Sequence, residues 1–294
     1  MKLGAIFPQL EIGADPGAVR EYAQTVEGLG YNHVGVYDHV LGADPSYYRD
    51  WSGPYTSKSL FHEPFVLYGY LAAITKRLEL ATEIIILPQR QTVLVAKQAA
   101  EVDVLSGGRL RLGVGIGWNR VEYEGLGQDF HTRGRRSDEQ VRLLKALWTQ
   151  EVVTFEGRWE KVTAAGLNPM PVQRPIPIWF GGGEELVLRR VANLGDGWFP
   201  QGAPTNPVVQ QRLEMLKQYL REAGRNPAAI GIEGRASAAN ATPEDWAKTA
   251  AAWKELGATH LCFNTMGAGF TTLAEHLEAL HRFHEVASDT VGAG

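Results

Sequence analysis

The chain has 294 residues, 44% of them hydrophobic and 21% charged, with a formal net charge of −4. That composition excludes general disorder, and the slightly acidic balance supplies no net basic field for nucleic acid or an anionic membrane. The one cysteine, Cys262, excludes an internal disulfide and a Cys-rich metal site, and no apolar run approaches the roughly 20 residues of a membrane-spanning helix, so a soluble cytoplasmic protein is expected.

Apolar runs rich in β-branched residues occur at 3–7, 34–37, 78–87, 109–116, 176–180, 197–199, 230–237 and 260–265, and predict eight strands. Helical patterns fall between them. The segment 16–29 begins at Pro16 and is followed by Gly30, while 91–105 stops at Ser106-Gly107-Gly108. Spaced apolar residues predict further helices over 133–149, 184–194, 207–223, 243–256 and 271–287. Strand and helix alternate without a linker, which favours one α/β domain over 1–294, a (β/α)8 TIM barrel, over an open doubly wound sheet. Two stretches read as insertions: 39–62 after the second strand, and 150–175 after the fourth, with a hairpin pattern turning near Glu156-Gly157.

A barrel builds its active site at the C-terminal strand ends, which here carry Asp38 and His39, Thr82 to Ile84, Gly115 to Asn119, Gly181 to Gly183, and Phe199-Pro200. Gly181-Gly182-Gly183 before a helix suits a phosphate or, equally, a tight strand-to-helix turn. His39 is either an acid/base or, with Asp38, part of a loop-capping hydrogen bond. Glu83, set among apolar neighbours, needs a partner and either forms a structural ion pair or lines the pocket. Tyr47, Tyr48, Trp51, Tyr55 and Phe61 offer aromatic surface for a pocket wall, a helix contact or a subunit interface. His276, His281 and His284 share a predicted helix with Glu278 and Glu285; an exposed helix face accounts for them better than a metal site, and none is assigned. GVGIG at 113–117 is not a dinucleotide fingerprint, because Trp118 stands where the last glycine would be.

The stretch LATEIIILPQRQTVLVAKQAAEVDVLSGGRLRLGVGIGWNRVEYEGLG at 80–127, with RPIPIWFGGG at 174–183 and GDGWFP at 195–200, resembles the luciferase-like monooxygenase superfamily, in its deazaflavin (coenzyme F420)-dependent oxidoreductase branch. The resemblance spans most of the chain. It implies a barrel with a flavin or deazaflavin at its C-terminal mouth and a bulged third strand, whose cis non-prolyl peptide falls between Glu83 and Ile84. Glu83 departs from the commoner small residue before that bond. By the same resemblance Asp38 contacts the ring region and His39 is the acid/base facing a small-molecule substrate. Thr82, Glu83, Ile84, Ile116, Gly117 and Asn119 line the cofactor, and Gly181, Gly182, Gly183, Phe199 and Pro200 form its phosphate side. Arg133, Arg135 and Arg136 either meet an anionic substrate or the coenzyme's acidic tail, or, more in keeping with surface charges, start an exposed helix in pairing with Asp138 and Glu139. Hydride transfer between F420 and an organic substrate is the expected reaction. The alternatives are a monooxygenase fed reduced FMN by a reductase partner, and a non-catalytic flavin-binding barrel. The family also implies a homodimer.

Overall fold

A computed structural model describes residues 1–292. The parallel strands are β1 (Lys2–Ile6), β2 (His33–Val36), β3 (Glu79–Thr82), β4 (Ile85–Ile86) and β5 (Leu110–Gly115), followed after a separate hairpin, β6 (Val153–Glu156) and β7 (Lys161–Ala165), by β8 (Ile178–Gly181), β9 (Gly197–Phe199), β10 (Gly231–Ser237) and β11 (His260–Asn264). Their order is β3-β2-β1-β11-β10-β9-β8-β5-β4, and β3 also pairs with β5, so the sheet closes on itself. β3 and β4 are two halves of one barrel strand, both parallel to β5, which makes eight barrel strands at the eight predicted places. The interruption is the bulge at Glu83-Ile84, whose peptide bond is cis as the resemblance implied.

The helices are α1 (Pro16–Gly28), α2 (Pro64–Ile74), α3 (Thr92–Ser106), α4 (Arg120–Gly125), α5 (Arg133–Thr149), α6 (Glu185–Leu194), α7 (Pro207–Glu222), α8 (Pro243–Glu255) and α9 (Leu273–Val291). Their ends follow local chemistry. Asp15 accepts from the amides of Gly17 and Ala18 to start α1, and Thr242 with Asp245 and Thr272 with Glu275 form reciprocal caps on α8 and α9. α3 stops at Gly107, whose φ of 73° is costly for a residue with a Cβ.

Two helices were absent from the sequence reading. α2, PFVLYGYLAAI, is apolar nearly all round and so lacks the contrast between faces that marks an amphipathic helix. α4 is only six residues long. α9 also runs to Val291, beyond the expected end at 287. Both insertions stand where expected, and the hairpin is tethered because Glu139 of α5 accepts from the amides of Arg158, Trp159 and Glu160.

The outer core packs helices on the barrel with buried Tyr22, Tyr68, Trp148, Trp198, Trp253 and Phe283. Inside, the lower barrel is polar. Arg111 donates to Glu79 and Glu233, each at 2.6 Å, and lies 4.3 Å from the centre of the Trp179 ring. Gly4 and Gly35 leave the space that His33 and Glu83 fill.

Candidate active site

β2 ends at Val36, and the next residues turn in opposite directions. Asp38 is buried; its carboxylate accepts from the Ile86 amide at 3.0 Å and from Arg90 at 2.8 Å. Burial pushes its carboxyl above the ordinary range, and Arg90 pulls against that rise. Because Arg90 also binds Glu63 at 2.8 Å, Asp38 fastens the segment after β4 to β2 and to the start of α2.

His39 faces the mouth. Its Nδ1 lies 2.8 Å from Glu122 Oε1, and Glu122, buried in α4, also accepts from the Val40 amide and from Gln89. A carboxylate offers only acceptor oxygens, so Nδ1 is the nitrogen that donates in this pair, which leaves Nε2 free of Glu122. Around the ring stand Tyr55, Phe61 and Trp118, with centroid separations of 4.7, 4.8 and 5.7 Å. The aromatic insertion is therefore a wall of this site, with Trp51 packed on Trp118 at 5.6 Å, whereas Tyr47 projects outward. Glu122 and Trp118 were not recognised from sequence. A buried Glu at the third residue of a six-residue helix carries no pattern, and its partner lies 83 residues away.

The bulge forms the opposite wall. Ile84 sits on two backbones without side chains: a Cβ on Gly115 would strike it and a Cβ on Gly181 would come within 3.1 Å, while a Cβ on Gly117 would collide with Ile86. Thr82 is buried and donates to the Gly113 carbonyl at 2.7 Å. Asn119 is also buried, where it caps α4 through the Val121 amide and donates to the Leu41 carbonyl, so its polar atoms serve the loop. Tyr123 of α4 donates to the Ile116 carbonyl at 2.6 Å.

At the end of β8, Gly182 has a φ of 123° and its carbonyl accepts from the Trp198 indole at 2.7 Å. The Arg212 guanidinium from α7 fills the place a Cβ on Gly183 would take. The next helix, α6, has no side-chain cap. Three glycines, helix amides without a side-chain cap and a guanidinium, itself 3.8 Å from Glu184, come together here, a combination chemically suited to an anion; Arg212 was missed because it lies far along the chain. Phe199 packs on Trp179 at 5.4 Å, with Pro200 buried beside it.

Beneath the mouth, Glu83 is buried and paired with Arg235 of β10. Its carboxyl also faces Glu233. Burial and then the Glu233 charge push Glu83 upward; Glu233, against its own burial, is held well down by Arg111 and then by His33 at 3.2 Å. His33, Glu83, Glu233 and Cys262 offer donor atoms within 4.8 Å of one another, but Arg111 and Arg235 already occupy the same carboxylates, so the cluster reads as an ion network. Glu83 thus both forms an ion pair and underlies the pocket.

The remaining sequence candidates lie apart. His276 is buried, contrary to the exposed face expected, and its Nδ1 lies 2.8 Å from Thr265; His284 packs on Tyr31, and His281 is exposed beside Glu285. Arg133 stacks on Phe130 at 3.7 Å and Arg136 donates to the Pro88 carbonyl. The expected pairing with Asp138 and Glu139 is replaced: Asp138 pairs with Arg190 and Glu139 holds the hairpin.

Residues 3–290 match the luciferase-like monooxygenase family. An uncharacterized protein of Mycobacterium bovis is 33% identical over 208 residues, 69% of this chain and 71% of that one. An F420-dependent glucose-6-phosphate dehydrogenase of Gordonia bronchialis is 30% identical over 74% of this chain and 62% of its own. An FMNH2-dependent dimethylsulfone monooxygenase of Pseudomonas putida is 34% identical over 47% and 39%. Two solved structures share the fold: an F420-dependent secondary alcohol dehydrogenase with an F420-acetone adduct, TM-score 0.78 at 18% identity over 97% of this chain and 98% of that one, and the monooxygenase RslO1 of Streptomyces bottropensis, TM-score 0.77 at 20% identity with the same coverage. The closed barrel, its bulged third strand and the match over nearly the whole chain together make this protein a member of the luciferase-like monooxygenase family.

Proposed function

We propose that the protein is an oxidoreductase that binds coenzyme F420 at the barrel mouth and transfers a hydride to or from a small organic substrate, with His39 handling the proton. The observation that carries this reading is the His39–Glu122 pair, an imidazole with a fixed tautomer inside an aromatic wall facing the mouth. The residues present fit the group. Ile84, half-buried against the backbones of Gly115 and Gly181, offers an apolar surface on which a flat ring can rest, and Gly181 to Gly183 with Arg212 suit a phosphate.

When bound, F420 supplies the hydride donor or acceptor, and the protein supplies position, electrostatics and a site screened from water. Glu122 holds Nδ1–H, so Nε2 takes a proton from a substrate hydroxyl, and the positive charge that results is stabilised by the buried carboxylate 2.8 Å away. In the reverse direction the same nitrogen returns the proton. Tyr55, Phe61 and Trp118 cover the apolar faces of the substrate.

The Gordonia relative and its extent favour F420, while the Pseudomonas relative supports a second reading in which FMN is bound. Calorimetric titration of the apoprotein with oxidised F420 and, separately, with FMN decides between them. Micromolar or tighter F420 binding with no FMN binding is expected; FMN binding alone would overturn hydride transfer and direct the work to oxygen-dependent chemistry. Given F420 binding, His39→Ala should lower turnover by about 100-fold or more while F420 affinity stays within about 3-fold.

A further inference from the structure

Two arginines point into the barrel, and they are not equivalent. Arg111 is enclosed: its side chain is 4% exposed, Nε and Nη1 donate to Glu79 and Glu233, and Trp179 covers one face. Arg235, on the same inner face of β10 as Glu233 and one step nearer the mouth, is 39% exposed. A guanidinium carries five N–H donors. Among the described residues only one acceptor meets those of Arg235, the Glu83 carboxylate at Nη2; Nε is buried with no partner, and Nη1 has none either.

Arg235 stands near the C-terminal end of β10, two residues before Ser237. Its guanidinium lies 5.3 Å from the centre of the Tyr37 ring, and its charge acts on the phenol of Tyr55, the ring packed 4.7 Å from His39. Tyr55, packed on Phe61 at 4.8 Å, is thus the ring common to the surroundings of Arg235 and of His39. Glu83, itself buried, anchors the guanidinium from below, which leaves its open edge in a fixed orientation.

We propose that Arg235 is an anion receptor at the floor of the barrel mouth, taking the carboxylate of a small substrate with a flat apolar body on the N–H groups that Glu83 leaves free. Nε, buried on the Glu83 side, is out of reach, but Nη1 and the second N–H of Nη2 form the end-on edge of the guanidinium, whose two parallel donors match the two oxygens of a carboxylate. The aromatic wall receives the apolar body and presents its far end to His39. This inference rests on the proposed oxidoreductase site for what happens to the ligand, but its test needs no cofactor.

Benzoate and benzamide have one shape and differ in charge. Calorimetric titration of the apoprotein with each should show benzoate binding at least 10-fold tighter, and Arg235→Gln should abolish that preference while benzamide binding is unchanged. Equal affinity of the two probes for the wild type overturns the proposal whether or not the variant folds. Benzoate preference that survives Arg235→Gln, with the variant's melting curve showing it folded, also overturns it. Selective 15N-arginine labelling supplies a second readout: benzoate should shift the Arg235 Nη resonances, and the absence of a shift at saturating benzoate counts against the assignment. A parallel titration of Arg235→Gln with F420 locates the anion. Unchanged F420 affinity assigns the receptor to substrate, whereas a 10-fold loss assigns it to the cofactor and overturns the substrate proposal. Failure of F420 to bind the wild type removes the hydride-transfer reading and leaves the benzoate result standing.

Discussion

Glu122 makes no approach to the mouth of its own, yet it fixes which nitrogen of His39 carries the proton, because both of its oxygens are already met by donors from His39, Val40 and Gln89. Glu122→Gln keeps the shape but can present its amide N–H2 to Nδ1, which favours the opposite tautomer. Turnover should fall roughly 10- to 100-fold, the scale for losing a partner that orients an imidazole, and the pH profile should move while F420 affinity holds. A profile unchanged from wild type would reduce Glu122 to a loop anchor. The same scale explains what was readable from sequence. Asp38 and His39 stood out at a strand end, but their division of labour did not, since it depends on Arg90 and Glu122, 52 and 83 residues away.

For the elements, alternation and punctuation made the barrel strands readable, including the three-residue β9, because each apolar run is bounded by turn residues. α2 escaped because its composition has no polar face, and α4 because it is too short for a period. The join between the two halves of the third strand is tight: a Cβ on Gly113 of β5 would overlap the Thr82 carbonyl and crowd Phe199 at 2.9 Å. Backbone cannot yield as a flexible side chain does. Gly113→Ala should therefore destabilise by about 1–3 kcal/mol, the usual penalty of overpacking, seen as a lower urea midpoint at unchanged slope. The hairpin offers a contrast. Glu139→Ala removes the acceptor for three amides at its turn, so proteolysis near 157–160 should increase while the barrel's melting temperature changes little.

Across the whole molecule, the carboxyls inside the barrel link stability to pH. Glu83 has a raised value in the folded protein, chiefly through burial and then the neighbouring Glu233, and an ordinary one of about 4.3 when unfolded. Between those values the folded state binds more protons, so its stability is greatest at the acidic end of the interval and declines as pH rises through it. The slope from this one group is at most about 1.4 kcal/mol per pH unit. Urea unfolding of Glu83→Gln across pH 5 to 8 should be flatter than wild type by part of that slope; parallel curves would show that Glu83 is ionised throughout. Nothing in the sequence announces this network beyond the oddness of a carboxylate among isoleucines, because its members come from β2, the bulge, β5 and β10 and meet only when the barrel closes.

Trp118 is 43% exposed and packs at a tilt against both His39 and Trp51, whereas Trp148, Trp198 and Trp253 are wholly enclosed. The mouth thus carries its own optical reporter. A solvent-facing indole emits at longer wavelength than an enclosed one, so ligand settling against the aromatic wall should shift or quench that component and leave the enclosed tryptophans as an internal reference. Trp118→Phe should remove the response, which would turn the intrinsic emission of the unlabelled protein into a stopped-flow record of ligand arrival and departure.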